Sequence, residues 1–185
     1  MRATILFVLL LLVAFAPPAK VVPVTVTGTV TSADREAIAA AQKFYFREGI
    51  ILLEVPDGRW KWVSLEFKGF PSPTSQGRIA AGFNRTAVHV IDSHVVGVES
   101  QIVIRPGSPP PLAEAVLIHE IAHALGAEHV EKGSPYGDIW GDTLMSPYID
   151  PDKPSFIIDP RNREIIKEGK IRCGVLCDLL ATTPQ

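Results

Sequence analysis

The chain has 185 residues and a formal charge of −2, which is enough sequence for one domain with a sizeable core. Without a basic surplus it is not expected to bind nucleic acid, and 46% hydrophobic with 21% charged residues exclude a disordered chain. Two cysteines exclude a disulfide-dense scaffold, and the composition also excludes a polytopic membrane protein.

The first nineteen residues form a segment of their own. Arg2 precedes an apolar run from Ile5 to Ala16, which is too short to span a bilayer comfortably and has the length of a signal-peptide core. We therefore predict that residues 1–19 are a signal peptide or an uncleaved N-terminal anchor. In both cases the rest of the chain is exported.

A strand, a helix and several further strands are predicted in the first half. The alternating, β-branched stretch 21–30 favours a strand, and Ser32 or Asp34 is a candidate cap for a helix that runs to about Arg47 and ends at Gly49. A loop and four more strands follow, with one stretch that is an edge strand or a loop. The loop is Phe70–Arg78, the strands are Ile50–Val55, Trp60–Phe67, Ala87–Ile91 and Gln101–Ile104, and the ambiguous stretch is Ser93–Ser100.

Two helices are predicted in the second half. The proline-rich stretch Pro106–Pro111 ends the strands, and Leu112–Leu125 is strongly helical and closed by Gly126. Asp159 is a candidate cap for a last helix over 160–168, because proline at the first helical position favours a helix start. This order of elements predicts a mixed sheet with helices packed on it.

The pattern H-E-x-x-H lies in the first of these helices, at His119, Glu120 and His123. Residues four apart lie on one face of a helix, so the two imidazoles can share one Zn²⁺ at about 2.0–2.1 Å. Glu120 can reach the open position of such an ion and accept a proton from its bound water.

His129 is a candidate third ligand. If the helix continued past His123, His129 would lie about 9 Å further along the axis and off the metal-binding face. It can join the site only if the chain leaves the helix between them, and Gly126 tolerates the left-handed conformation that ends helices. Three neutral nitrogen ligands with water are typical of a catalytic zinc site. The alternative is a helix with three solvated or core histidines.

The full pattern H-E-x-x-H-x-x-G-x-x-H, from His119 to His129, resembles the zinc-binding motif of the metzincin metallopeptidases. Asp142–Tyr148 resembles their Met-turn, and Met145 is the only methionine besides the initiator. The Leu-Met-Ser-Pro form is most similar to the matrixin branch. Val130 departs from the serine usual there in animal enzymes, and the interval to Met145 is longer, so a microbial matrixin-like protein is expected.

This resemblance implies an α+β fold: a mixed, mostly parallel twisted sheet with two long helices, then a small irregular C-terminal subdomain with one helix. It implies one catalytic domain over 20–185, with subdomains 20–126 and 127–185. The implied function is that of a secreted zinc metalloendopeptidase that hydrolyses an extended peptide or protein. We expect a monomer that meets a membrane only through an uncleaved N-terminal segment.

The resemblance also assigns roles to single residues. It makes His119, His123 and His129 the zinc ligands and Glu120 the catalytic residue. Supporting or pocket-lining positions are Met145, Pro147, Ile149, Val116 and Tyr148, the last shaping the pocket wall rather than binding the metal. The substrate is expected to pair with an edge strand ahead of the active helix, within Ser93–Ser100.

Other polar residues have more than one interpretation. His89 and His94 are satisfied surface or core histidines, or ligands of a second, structural zinc. Asp150, Asp152 and Asp159 are surface charges, ligands of a structural Ca²⁺, or, by the resemblance, supports of the Met-turn.

Cys173 and Cys177 are a candidate disulfide. The sequence around Cys173 also resembles the matrixin cysteine switch, although it lies at the opposite end of the chain. Asn84 begins an N-glycosylation triplet. Two other interpretations are compatible with the same motif. The protein could be a non-catalytic metzincin-like protein that binds a peptide or a metal, or a zinc amidase that acts on a non-peptide substrate.

Overall fold

A computed structural model describes residues 20–56, 63–69, 82–91, 94–130, 143–147 and 149–168, with the backbone alone for 86–91 and 94–99. These ranges contain five strands and three helices. In chain order they are β1 (Lys20–Gly28), α1 (Ser32–Arg47), β2 (Ile50–Glu54), β3 (Val63–Phe67), β4 (Gly82–Ile91), β5 (His94–Ile104), α2 (Pro110–Ala124) and α3 (Pro160–Glu168). The predictions for 1–19, the loop Phe70–Arg78, Tyr148 and the cysteine pair lie outside the described residues. In the described ranges, no helix combines the length and the apolar character that crossing a membrane requires.

The strands form one sheet in the order β2-β1-β3-β5-β4. Neighbouring strands run parallel, except that β4 is antiparallel to β5. The predicted mixed, mostly parallel sheet is therefore confirmed for the described residues, as are two long helices followed by a short one. Parallel pairing of β1 with both β2 and β3 places the first strand inside the sheet, where Val22 and Val24 are buried.

Ser93–Ser100 is predicted as an edge strand or a loop, but residues 94–100 belong to β5, and the outermost strand of the described sheet is β4. Residues 94–99 pair with β4, and β5 lies between β3 and β4 from Ser100 onward. Only residues 92 and 93 separate β4 from β5, so the two strands form a hairpin, and β5 also pairs with β3 from Ser100 onward. This hairpin leaves β4 at the edge of the described sheet.

Helix α1 begins one residue earlier than a cap at Ser32 would place it, and three residues earlier than a cap at Asp34 would. Its N-cap is Thr31, whose hydroxyl accepts from the Asp34 N–H, while the Asp34 carboxylate accepts from the Thr31 N–H at 2.9 Å. The other carboxylate oxygen of Asp34 accepts from the Gly107 N–H at 3.3 Å, in the turn before α2. The fully buried Asp34 therefore joins the starts of the two long helices.

Replacing Asp34 by alanine is expected to lower the free energy of unfolding by about 1–3 kcal/mol, because it removes the cap and leaves backbone N–H groups without their acceptor. Denaturant titration measures the loss. Glu36→Ala is the matched control, since Glu36 lies in the same helical turn and is exposed. Equal unfolding midpoints for the two variants would contradict this role of Asp34.

Helices α1 and α2 pack against each other and share one hydrophobic core with the sheet. Tyr45 of α1 is fully buried, and its hydroxyl donates to the carbonyl oxygen of Ile118 at 2.7 Å. That hydrogen bond fixes α2 relative to α1 one residue before His119. The rigid core of the domain thus reaches directly to the candidate site.

Candidate metal centre

Helix α2 is buried on nearly every side, so the polar side chains of the candidate site that it carries lie in mostly apolar surroundings. It begins at Pro110, two residues before the predicted start, because Pro110 and Pro111 occupy first-turn positions that have no intrahelical N–H bond to lose. His119 is 6% exposed and Glu120 is 9% exposed, although both are polar. Buried polar groups of this kind need partners, and the partner of the His119 ring lies in the segment that follows α2.

The turn predicted at Gly126 is present. Gly126 has φ 98°, its N–H donates to the His123 carbonyl at 2.9 Å, and the Ala127 N–H donates to the Ala122 carbonyl at 2.9 Å. These two bonds form a Schellman motif, which ends a helix with a left-handed residue that is usually glycine. The chain consequently reverses direction and brings His129 back beside α2.

The three predicted histidines converge on one point. Their Nε2 atoms form a triangle with sides of 3.0 Å (His119 to His123), 3.1 Å (His123 to His129) and 3.2 Å (His119 to His129). The part of the chain that the structure describes contains no other group of three or more His, Cys, Asp or Glu side chains placed to hold a metal ion. This triad could hold a metal ion.

Hydrogen bonds at the opposite ring nitrogens fix the tautomers of two of these imidazoles. His119 Nδ1 lies 2.7 Å from the Leu144 carbonyl oxygen, and His123 Nδ1 lies 2.8 Å from the Ala127 carbonyl oxygen. A carbonyl only accepts, so both Nδ1 atoms carry the proton and both Nε2 atoms present a lone pair. Two lone pairs 3.0 Å apart repel each other unless a cation lies between them. The geometry is therefore that of a metal-binding site rather than of a hydrogen-bonded histidine cluster.

The electrostatics of the site favour the form that binds metal. Burial, and then the neighbouring His123, lower the pKa of His119 to about 3. Burial is also the main cause that lowers the pKa values of His123 and His129. All three rings are therefore neutral at pH 7, and neutral imidazole is the ligand form.

Glu120 lies beside the triad in a nonpolar setting. Burial raises the pKa of its carboxyl group to about 7, which is the range suited to accepting and releasing a proton near neutral pH. Its backbone carbonyl accepts from Asn84 Nδ2 at 3.2 Å, so the edge strand β4 is tied to α2 at this residue. The nitrogen to which a glycan would be attached at the Asn84 triplet is therefore engaged in a hydrogen bond in the folded chain.

The turn around Met145 supports the site through its backbone. The Ser146 N–H donates to the Thr143 carbonyl at 3.1 Å, the Leu144 carbonyl contacts His119, and the Met145 carbonyl accepts from Val130 at 3.0 Å. The Met145 side chain is fully buried in the main core. Thus the turn connects the metal-binding segment to the rest of the domain.

The remaining predicted positions differ in how they relate to the site. Pro147 is exposed, and Val116 is buried in the core, with its Cγ1 facing Gly82 of β4. Asp150 accepts from the backbone of Asp152 in a local turn. None of the three predicted calcium-ligating aspartates belongs to a metal-binding group among the described residues.

Asp159 caps α3, as predicted, through its bond from the Asn162 N–H at 3.0 Å. Two residues that sequence reasoning missed hold the backbone of the site: Asn84, which contacts Glu120, and Asn162, which contacts Glu128. They are the only asparagines in the chain. A weak signal exists for Asn162, because asparagine disfavours a helix interior and is found where its side chain bonds to nearby backbone.

No family model matches this chain, and no curated protein matches it. Among solved structures, it is similar to a crystal structure of myroilysin, with 13% identity and a TM-score of 0.47, over 83% of this chain and 84% of that chain. A second myroilysin structure has 11% identity and the same TM-score, over 83% of this chain and 93% of that chain. Similarity at this identity and TM-score does not assign a function to the chain.

Proposed function

We propose that this protein is a zinc-dependent metalloendopeptidase of the metzincin type, in which Glu120 activates the water that attacks the peptide bond. One observation carries the proposal: three neutral imidazole nitrogens converge at 3.0–3.2 Å beside a buried glutamate. Carboxyl groups whose pKa is raised by burial, here to about 7, are common among catalytic acids and bases.

The donor set fits a zinc ion. In a tetrahedral site with Zn–N distances of about 2.0–2.1 Å, ligand nitrogens lie about 3.3–3.4 Å apart. The observed separations of 3.0–3.2 Å are close to that spacing, and a small outward shift of the rings would reach it. Three neutral nitrogens with a free fourth position match catalytic rather than structural zinc sites. Imidazole ligation also suits other transition metals, so metal analysis belongs to the test.

The metal ion and Glu120 would have different chemical roles. Bound zinc would supply Lewis acidity, which polarises the scissile carbonyl and lowers the pKa of water. Glu120 accepts the proton of the attacking water on its carboxylate and later donates it to the leaving amine nitrogen. The surrounding apolar core keeps bulk water away from this carboxylate, which strengthens its interaction with charge that develops during the reaction.

The edge strand β4 is the proposed binding surface for an extended peptide, in place of Ser93–Ser100. An extended peptide can add to an edge strand as a further strand, by backbone hydrogen bonding. The strand approaches α2 closely: a Cβ added at Gly82 would lie 2.8 Å from Val116 Cγ1. With Asn84 bound to the Glu120 carbonyl, a peptide along β4 would run past the catalytic glutamate.

Secretion and the matrixin-like branch belong to the same proposal. Secretion is supported by the apolar run that follows Arg2. The branch is supported by the Leu-Met-Ser-Pro sequence that follows the triad, in which Met145 is buried.

The decisive experiment incubates the purified chain with a quenched-fluorescent peptide library, first as isolated, then after chelation and then with zinc restored. We expect cleavage that stops on chelation and returns with about one zinc per chain. Mass spectrometry of the products should place the cuts inside the peptides. Zinc-loaded protein that leaves every peptide intact would contradict the peptidase proposal, and activity that persists after complete chelation would contradict the metal mechanism.

A further inference from the structure

Asn162 of α3 binds the backbone of the metal-binding segment at the residue before His129. Its Oδ1 accepts from the Glu128 N–H at 2.9 Å, and its Nδ2 donates to the Glu128 carbonyl at 2.9 Å. One carboxamide thus satisfies both polar backbone groups of Glu128. The side chain is 3% exposed, whereas Glu128 itself is an exposed residue whose carboxylate pairs with Arg161 on the surface.

The orientation of this carboxamide is fixed by Asp159. The Asp159 carboxylate accepts from Asn162 Nδ2 at 2.8 Å and, through its other oxygen, from the Asn162 N–H at 3.0 Å. A carboxylate only accepts, so the amide nitrogen must face Asp159, and Oδ1 is left for Glu128. The cap of α3 therefore also sets the geometry of the contact with the metal-binding segment.

The position of His129 depends on the path of its backbone, because His129 lies outside α2. Around it, Ala127 is held by α2 and by His123, and Val130 is held by the Met145 carbonyl. Glu128 lies between these two hydrogen-bonded residues and directly precedes His129. Asn162, on the separate helix α3, hydrogen-bonds to both backbone polar groups of Glu128.

We propose that Asn162 is a positioning residue for the third metal ligand: it holds Glu128 so that His129 Nε2 stays within reach of the other two ligand nitrogens. This role rests on the metal site of the proposed function and not on peptide hydrolysis. Partners that orient metal ligands in this way commonly change metal affinity by about 10–100-fold when they are removed.

The variants Asn162→Ala and Asn162→Asp test the proposal. Alanine removes both bonds to the backbone of Glu128. Aspartate keeps the acceptor for the Glu128 N–H but turns an oxygen toward the Glu128 carbonyl and the Asp159 carboxylate. We expect zinc affinity to fall about 10–100-fold in both variants, measured by competition with a chromophoric chelator. We also expect a changed ligand-field spectrum for bound Co²⁺, which reports coordination geometry.

Two control variants separate positioning from loss of stability. Ile166→Ala removes a fully buried side chain from the same helix and leaves the Asn162 contacts in place, and Arg161→Ala removes only the surface ion pair with Glu128. Both should keep the wild-type cobalt spectrum and zinc affinity, although Ile166→Ala should melt at a lower temperature.

A wild-type spectrum and affinity in Asn162→Ala would overturn the role of Asn162, as would equal losses in Ile166→Ala. If the wild-type protein binds neither zinc nor cobalt, the metal site of the proposed function fails, and the positioning role fails with it. Should Asn162→Ala not fold, Asn162→Asp with the same measurements decides between these outcomes.

Discussion

Replacing Glu120 by glutamine is expected to abolish peptide hydrolysis while the metal stays bound. Glutamine has nearly the same shape but cannot accept the proton of the attacking water, and general acid–base groups of this kind contribute about 10²–10⁴-fold to the rate. The loss should appear in kcat, measured with the best substrate from the peptide library. Zinc content should stay at the wild-type level, because the carboxyl group is not one of the converging nitrogen ligands.

The matched control for this variant is Glu114→Gln, which changes the only other glutamate of α2. Its hydrolysis rate should remain close to that of the wild type. Equal activity in Glu120→Gln and the wild type would contradict the proposed mechanism, even if the metal proved essential. A protein that binds zinc and extended peptides but cleaves none would instead support the non-catalytic alternative.

Replacing His129 by alanine is expected to lower zinc affinity by more than about 100-fold, since a direct ligand contributes more than the partners that orient it. His129 is exposed, so its removal should leave the metal-free fold unchanged. Bound zinc raises the melting temperature through its affinity for the folded state, and this increase should disappear in the variant. Chelator competition and thermal melts with and without zinc measure both effects.

Glu128→Gln is the comparison for His129→Ala, because it changes the adjacent residue and removes only the charge that pairs with Arg161. It should bind zinc as the wild type does. If His129→Ala also binds zinc with wild-type affinity, the third ligand is a different group, and the convergence of the three rings has no function in metal binding.

The sequence predicts the ligand triad because its geometry is local. Spacing of four places two histidines on one helix face, and a glycine after the helix explains how His129 returns to them. The same reasoning predicts the start of α3 from Asp159 and Pro160. These features depend on residues close together in the chain, whose conformational preferences can be read without knowledge of the rest of the fold.

The order of strands and the partners of the ligands could not be predicted in this way. Whether β4 or β5 lies at the edge depends on which strand pairs with β3. The alternation of apolar and polar residues along a strand does not predict which neighbour it pairs with. The Leu144 carbonyl that orients His119 is a backbone atom present in every residue, so no residue type signals it. Asn162 reaches Glu128 only because α3 packs beside the metal-binding segment.

The hydrogen bond that His119 donates to the Leu144 carbonyl links metal binding to a later part of the chain. All three ligands precede residue 130, but the carbonyl that orients His119 and the side chain that binds the backbone before His129 come from later in the chain, at Leu144 and Asn162. During synthesis, a chain that has emerged only as far as Val130 carries every ligand nitrogen and lacks those supports. We therefore expect tight metal binding to require the chain through α3.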